Sequence, residues 1–275
     1  MSTPSPPLRV PGERPARRTS WAIQRSVVYA LFVREIRAQI EGRWLGLLWT
    51  LFEPVAHLAI LLLLFTFVRH LVSPGIDPSL FLVSGLVPFF MFRNLALRGA
   101  DAAKQNTGLF SYRQVKPFDT LVARCLVEVA QHSLTYAILL SSLAWLGIDV
   151  LPDLPLELIG MSAVLIALGF GIALTLIVAC HDRPRLRSLV GLVFAPLYLL
   201  SGVIFPLHGL PQEWVDWLLL NPVLHLIELS RHDFVAHYRL LDGVSLAYPA
   251  AWALVLCALG MSLYRVNRQR LLASR

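Results

Sequence analysis

The groups with chemistry to offer in this chain are glutamates, histidines and arginines set inside apolar sequence. Glu53 precedes Pro54, and His57 follows four residues after the glutamate, which puts both on one face of a helix. Ionisable groups in such surroundings are costly, and they mark functional interiors. The pair reads either as a polar patch lining an aqueous path or as a bond closed between helices. Glu128 and His132 repeat the spacing beside a basic stretch, where a structural bond is the expected role. Arg93 ends an apolar run and can carry its charge out to headgroups. His225, Glu228 and His232 share a helical face. Zinc needs a third or fourth ligand at short, defined spacing, so we expect no metal there. A hydrogen-bonded cluster with Arg231 is the expectation instead. The aromatic residues Trp44, Trp49 and Phe52, then Phe89, Phe90 and Phe92, then Tyr198 can stack on sugar faces. Lipid contact or core packing is the alternative for each ring.

Other chemistry is missing. The two lysines, Lys104 and Lys116, follow no glycine-rich turn, so no phosphate-binding loop is present and the chain is not expected to hydrolyse a nucleotide. Gly169-Phe170-Gly171 lacks the third glycine of a dinucleotide fingerprint and reads as helix packing. Cys125, Cys180 and Cys257 have no CxxC spacing and are expected to be inert thiols.

The elements that position these groups follow from composition. Of 275 residues 56% are hydrophobic and 15% charged, where soluble domains carry about 25% charged residues. Apolar runs near 20 residues recur, each able to cross a ~30 Å hydrocarbon core as a helix. Helices satisfy their own backbone in lipid, and the alternation of a membrane barrel is absent. An all-α integral membrane protein is expected. Six spans are read at 45–68, 79–97, 121–146, 154–179, 189–205 and 244–264. The fourth carries small residues suited to close packing (Gly160, Ala163, Ala167, Gly169 and Gly171).

Residues 1–20, rich in Pro, Arg and Ser, read as a disordered cytoplasmic tail, and 21–275 as one transmembrane domain. No apolar run comes early enough for a cleaved signal peptide. Within 25–41, Val28, Phe32, Ile36 and Ile40 form an apolar stripe opposite Arg34, Arg37 and Glu41. That pattern fits a helix in the membrane interface or a soluble docking helix. Residues 206–243 mix short apolar pieces with Pro206, Pro211, Pro222, Trp214 and Trp217. Periplasmic re-entrant helices, anchored by the tryptophans, are expected there.

Charge sets the orientation. With the N-terminus inside, 1–43, 98–124, 181–187 and 265–275 hold 20 of the 24 Lys and Arg residues. The net charge of +7 therefore reads as positive-inside topology, with both termini cytoplasmic, and not as affinity for nucleic acid.

Four segments together resemble the permease subunit of type-2 ABC exporters, in the branch that exports capsular polysaccharide. They are Leu45-Gly46-Leu47-Leu48-Trp49 through Glu53-Pro54; Ser84-Gly85-Leu86-Val87-Pro88-Phe89; and Tyr112 through Asp119, followed by Ala123-Arg124 and Glu128. The last is Leu200-Ser201-Gly202-Val203-Ile204-Phe205-Pro206, with Leu210-Pro211, Asn221-Pro222, His225, Glu228 and Arg231 after it. The resemblance implies a bacterial inner-membrane homodimer working with two cytoplasmic ABC ATPase subunits. Those subunits bind the ATP and Mg, and no cofactor belongs to this chain. It further implies periplasmic and outer-membrane export partners near 206–243, and a cargo of polysaccharide on a glycolipid terminus.

By the same resemblance, the cytoplasmic loop at 99–120 couples to the ATPase through a helix at Asn106–Lys116. Phe110, Tyr112 and Arg113 are its expected contacts, with Asp119 beside them. The translocation pathway would be framed by Trp49, Phe52, Glu53, His57, Phe89, Phe90, Arg93 and Tyr198. A periplasmic gate would comprise Asn221, Pro222, His225, Glu228 and Arg231. Rival readings are export of an O-antigen-like glycan or a small lipophilic molecule, and a membrane-embedded enzyme using His57, His132 or His225. An enzyme should gather its acid and base on one side of the membrane, whereas Glu128 and His225 are expected at opposite faces.

Overall fold

A computed structural model describes residues 19–42, 45–67, 76–181 and 183–273, without the side chains of 39–42, 45–51, 64–67, 184 and 273. Most of the expected tail, residues 68–75, Trp44 and the side chains of Ile40, Glu41 and Trp49 lie outside that description.

Among the described residues there are nine α-helices and no strand: α1 Ser20–Gly42, α2 Leu45–Phe67, α3 Pro78–Gln105, α4 Pro117–Trp145, α5 Pro155–Ala179, α6 Pro184–Leu200, α7 Gln212–Leu218, α8 Pro222–Phe234 and α9 Ala247–Ala273. Five of them, α3, α4, α5, α6 and α8, open on proline. Proline at the first position has its φ pre-set and lacks an N–H that would have had no intrahelical partner. Asp77 and Asn221 cap α3 and α8, accepting from the backbone N–H of Ser79 (2.8 Å) and Val223 (3.0 Å).

Each of the six expected spans coincides with a long helix. Three of these, α3, α5 and α9, are by themselves long and apolar enough to cross a membrane. Several boundaries move. α3 runs on through Arg98–Gln105 and α4 starts at Pro117, because helical hydrogen bonding does not stop where the apolar sequence does. α6 begins at Pro184 and ends at Leu200, five residues earlier than expected. Gly202 takes φ +67° just past its end, a left-handed turn that glycine adopts without a Cβ clash.

α3 is the central helix, with α2, α4, α5, α6 and α8 packed around it. It carries much of the core, including Leu82, Leu86, Phe89, Phe92 and Leu95. α9 lies along α5, closest at Gly171, where a Cβ would stand 2.9 Å from the Cys257 backbone nitrogen. Gly169 likewise lets Leu95 of α3 approach, so this pair of glycines serves helix packing. Gly160 has nothing near it and takes no part. α7 and α8 form a short helical pair joined to α9 through 235–246.

Candidate permease site

Three polar constructions stand out, one at the α2/α3/α6 junction, one under α8, and one at the end of the bundle where α3 hands over to α4.

At the first, Glu53 of α2 pairs with Arg93 of α3 at 2.5 Å. That is a bond closed between helices, and His57, on the same face of α2, is not in it. Its ring instead meets Phe90 edge-on (5.4 Å) and Tyr198 of α6 (5.8 Å). Arg93 also lies over Phe90, 4.6 Å from the ring centroid, a favourable seat for a cation in a dry setting. Phe89 packs on Tyr198 at 5.0 Å. So Glu53, His57, Phe89, Phe90, Arg93 and Tyr198 do come together, but not as equals. Phe89 and Phe90 are buried inside the protomer and act as its wall. Phe52 is exposed, and Glu53, Arg93, His57 and Tyr198 are half-buried. The Tyr198 hydroxyl has no hydrogen-bond partner among the described residues.

Under α8 a complete arginine sits inside the protein. Arg231 and Glu228 have no exposed side-chain surface and bond at 2.7 Å. The second terminal nitrogen, Nη2, donates to the carbonyls of Gly202 (2.7 Å) and Val203 (3.1 Å), while Nε has no partner among the described residues. The guanidinium lies 3.6 Å from the Phe81 ring centroid. Tyr238 donates its hydroxyl to the second Glu228 oxygen at 3.1 Å. A Cβ on Gly85 would stand 2.9 Å from Arg231 Nη2, so glycine is what leaves room for the charge. Ser230 donates to the Ser84 carbonyl (3.0 Å), and Asn221 to the Ser201 hydroxyl (2.8 Å).

The sequence segments 84–89, 200–206 and 221–231 thereby meet around one ion pair. Pro222 opens the helix that carries it. The two histidines of the expected cluster are employed elsewhere. His225 accepts from the Ser245 N–H and donates to the Leu219 carbonyl, which fixes a neutral tautomer. His232 bonds to the Tyr238 carbonyl. His225, Glu228 and His232 thus do not converge as metal ligands would.

The third construction joins α1, α3, α4 and α6. Glu128 is fully buried, with Arg98 at 3.3 Å and Arg124 at 3.6 Å. Arg124 also pairs with Glu35 of α1. His132 bonds through Nδ1 to the Glu128 carbonyl and through Nε2 to Asn94, a structural role as expected. Arg187 of α6 grips Asp101 with two bonds of 2.9 and 3.0 Å.

Beside this network the stretch Asn106–Lys116 holds a five-residue 3-10 helix, Thr107–Ser111, followed by irregular chain, a shorter element than the expected coupling helix. Asn106 is buried and caps α3 through the Ala102 carbonyl. Asp119 is buried too, accepting from the Lys116 N–H and from Gln24. Neither side chain offers itself to a partner. Phe110 packs against the core, whereas Tyr112 is 65% exposed and Arg113 is exposed beside it. The Asp101–Arg187 and Glu35–Arg124 links were invisible in sequence, since their members lie 86 and 89 residues apart.

A helical bundle with lipid-compatible spans, prolines inside α2, α3 and α6, and buried ion pairs between helices is built as the membrane part of a transporter. The chain belongs to the ABC-2 type transporter family, whose model matches residues 26–235. It is 38% identical to the polysialic acid transport protein KpsM of Escherichia coli, covering 94% of this chain and 99% of that one. It is 31% identical to the capsule polysaccharide export inner-membrane protein CtrC of Neisseria meningitidis, over 87% of this chain and 88% of the relative. To the O-antigen export system permease protein RfbA of Myxococcus xanthus it is 28% identical, over 89% and 94%.

Proposed function

We propose that this chain is the permease of an ABC transporter that exports capsular polysaccharide across the bacterial inner membrane. The observation that carries the reading is likeness along nearly the whole length to a protein named for polysialic acid transport. In this reading α2, α3, α4, α5, α6 and α9 are the six spans, both termini are cytoplasmic, and α7 and α8 lie on the periplasmic side. Two copies pair with two cytoplasmic ATPase subunits, which supply the ATP and Mg chemistry that a chain without a phosphate-binding loop lacks. Periplasmic and outer-membrane export proteins meet the 206–243 face, and the polysaccharide enters on its glycolipid terminus.

The site's geometry suits such a cargo. The rim formed by Phe52, Glu53, His57, Arg93 and Tyr198 offers ring faces and hydrogen-bonding groups, while its one cation is already neutralised by Glu53. A long polymer held weakly at many such points can slide; tight binding at one point would stall it. Movement requires an element with two positions that nucleotide biases. Tyr112 and Arg113 are the exposed contacts for the ATPase, and the ion-pair network behind them joins the loop to α1, α4 and α6.

Replacing Tyr112 and Arg113 with alanine and measuring the ATPase that co-purifies tests the coupling face. A clear loss is expected, and an undiminished complex rules that face out. The likeness to an O-antigen permease supports a second reading, in which the cargo is an O-antigen-like glycan. Identifying the glycan that accumulates inside cells lacking the protein separates the two.

A further inference from the structure

The apolar stripe read on α1 is not the face that docks. Leu31 is buried, and Gln24 and Glu35 bond to Asp119 and Arg124 of α4. Val28 and Phe32, the centre of the stripe, are only half-covered. They line an open groove of about 640 Å³ between α1 and α4, together with Trp21, Tyr29 and Leu126, and Arg25 stands in its wall.

Gln24 also belongs to a second recess, of about 280 Å³, whose charged groups are Lys116, Arg265 and Arg268. No acidic side chain among the described residues forms an ion pair with Arg25, Lys116, Arg265 or Arg268. Asp119, the acid at this junction, is already occupied by Gln24 and the Lys116 amide. An apolar trough therefore opens beside a basic recess, at the end of the bundle where basic residues gather. Tryptophan and tyrosine at its rim are the residues that favour the headgroup level.

We propose that this double site holds an anionic phospholipid of the surrounding bilayer, with one acyl tail between α1 and α4 and its phosphate on Lys116, Arg265 and Arg268. Charge complementarity selects this occupant. A zwitterionic lipid would leave the basic groups unmatched, and a free phosphate has no use for the trough. A second copy of the chain across a two-fold axis would have to be self-complementary there, and among the described residues the patch has no free acid to offer its own arginines. A bound lipid would wedge α1 against the bundle, so the position of α1 would depend on the leaflet's composition. The site is independent of which glycan is exported.

The test uses the full chain with its ATPase partner in nanodiscs of phosphatidylethanolamine. Traces of phosphatidylglycerol or phosphatidylcholine are added, each bearing a photoreactive group on its tail. Phosphatidylglycerol is expected to label peptides spanning 21–32 and 126–130 at least about five-fold more than phosphatidylcholine, as one well-placed basic residue already provides. The triple variant Lys116→Gln, Arg265→Gln, Arg268→Gln should bring the two probes level. Val28→Trp, which fills the trough, should lower labelling at 126–130 by both. Labelling of the exposed Leu254 side of α9, which meets bulk lipid, reports that each variant is intact. If the triple variant does not fold, Arg268→Gln alone should reduce the preference by a few-fold. Equal labelling by the two probes in the natural chain overturns the proposal. So does labelling at 21–32 that emerges only after the ATPase or the second protomer is stripped away, which would give the groove to a protein.

Discussion

Replacing Gly85 with alanine tests the buried arginine at the point where it has least room. In an ordinary helix the change stabilises by about 0.5–1 kcal/mol, because alanine has less freedom to lose than glycine. At Gly85 the new methyl would sit 2.9 Å from Arg231 Nη2, 3.4 Å from the Val203 carbonyl oxygen and 3.5 Å from Ile227 Cγ2. The guanidinium cannot swing away freely: Glu228, two carbonyls and the Phe81 ring hold it. Forcing an extra carbon into such a place costs about 1–3 kcal/mol, so the sign of the substitution should reverse. Gly160→Ala in α5, with nothing within 4 Å, is the matched control and should be neutral or mildly stabilising.

Thermal unfolding in mild detergent, followed with a thiol-reactive dye, measures both, because all three cysteines are free and Cys125 is buried. At roughly 2–4 °C per kcal/mol for a chain of this size, Gly85→Ala should melt several degrees below Gly160→Ala. Combining Gly85→Ala with Arg231→Met should cost less than the two changes added, since the second removes what the first collides with. If Gly85→Ala is as harmless as its control, the guanidinium does not lie against that helix and the account of the α8 site fails.

Breaking the Glu228–Arg231 pair from either side, by Glu228→Gln or Arg231→Met, should cost about 3–5 kcal/mol, because a buried charge is stranded. The double variant should recover much of that in a denaturant titration; additive losses would mean the pair is not buried as described. Arg187→Met, by contrast, breaks a half-exposed pair with Asp101. Its melting temperature should barely move, while capsule at the cell surface should fall if α6 is tied to the coupling end as proposed.

Asp233 is buried near the end of α8, and both its carboxylate oxygens lack a partner among the described residues. Burial, with Glu157 adding to it, pushes its carboxyl up to about 6. The folded state then binds more protons than the unfolded one between about pH 4 and 6, so this group's contribution to stability falls as pH rises through that window and levels off above it. Asp233→Asn should flatten the slope of melting temperature against pH; an unchanged slope would assign it to other groups.

How much of this was legible in sequence depended on range. Helix starts at Pro78, Pro117, Pro155, Pro184 and Pro222 carry a local signal, although spans drawn from apolar length began at 121 and 189 and missed two of them. The long helices follow from apolar length, although length says nothing about where a helix stops, which is why α3 and α4 overran. Partners across helices were another matter. Spacing put Glu53 and His57 on one face but could not name the partner across the helices, which is Arg93, 40 residues on. Glu128 and His132 did stay together, though through the Glu128 carbonyl more than its carboxylate. Gly85 carried no chemical meaning in the chain until Arg231 was seen to need the space it leaves. Asn106 and Asp119 looked like polar loop residues available to a partner; as helix-end caps they point inward.

α6 spans about 25 Å at 1.5 Å per residue, and its polar attachments are concentrated at its extremities, with Phe194 and Tyr198 packing on α3 between them. Arg187 ties one to Asp101, while Ser201, Gly202 and Val203 tie the other to Asn221 and Arg231. Between them Leu189, Leu192, Val193 and Leu199 face outward. A rod riveted top and bottom and bare along one flank behaves as a strut. Displacement delivered at Arg187 would reach the 201–203 corner through one continuous helix, weakened only at Pro196, which cannot donate its helical hydrogen bond. That residue is the place where the strut would buckle first under load.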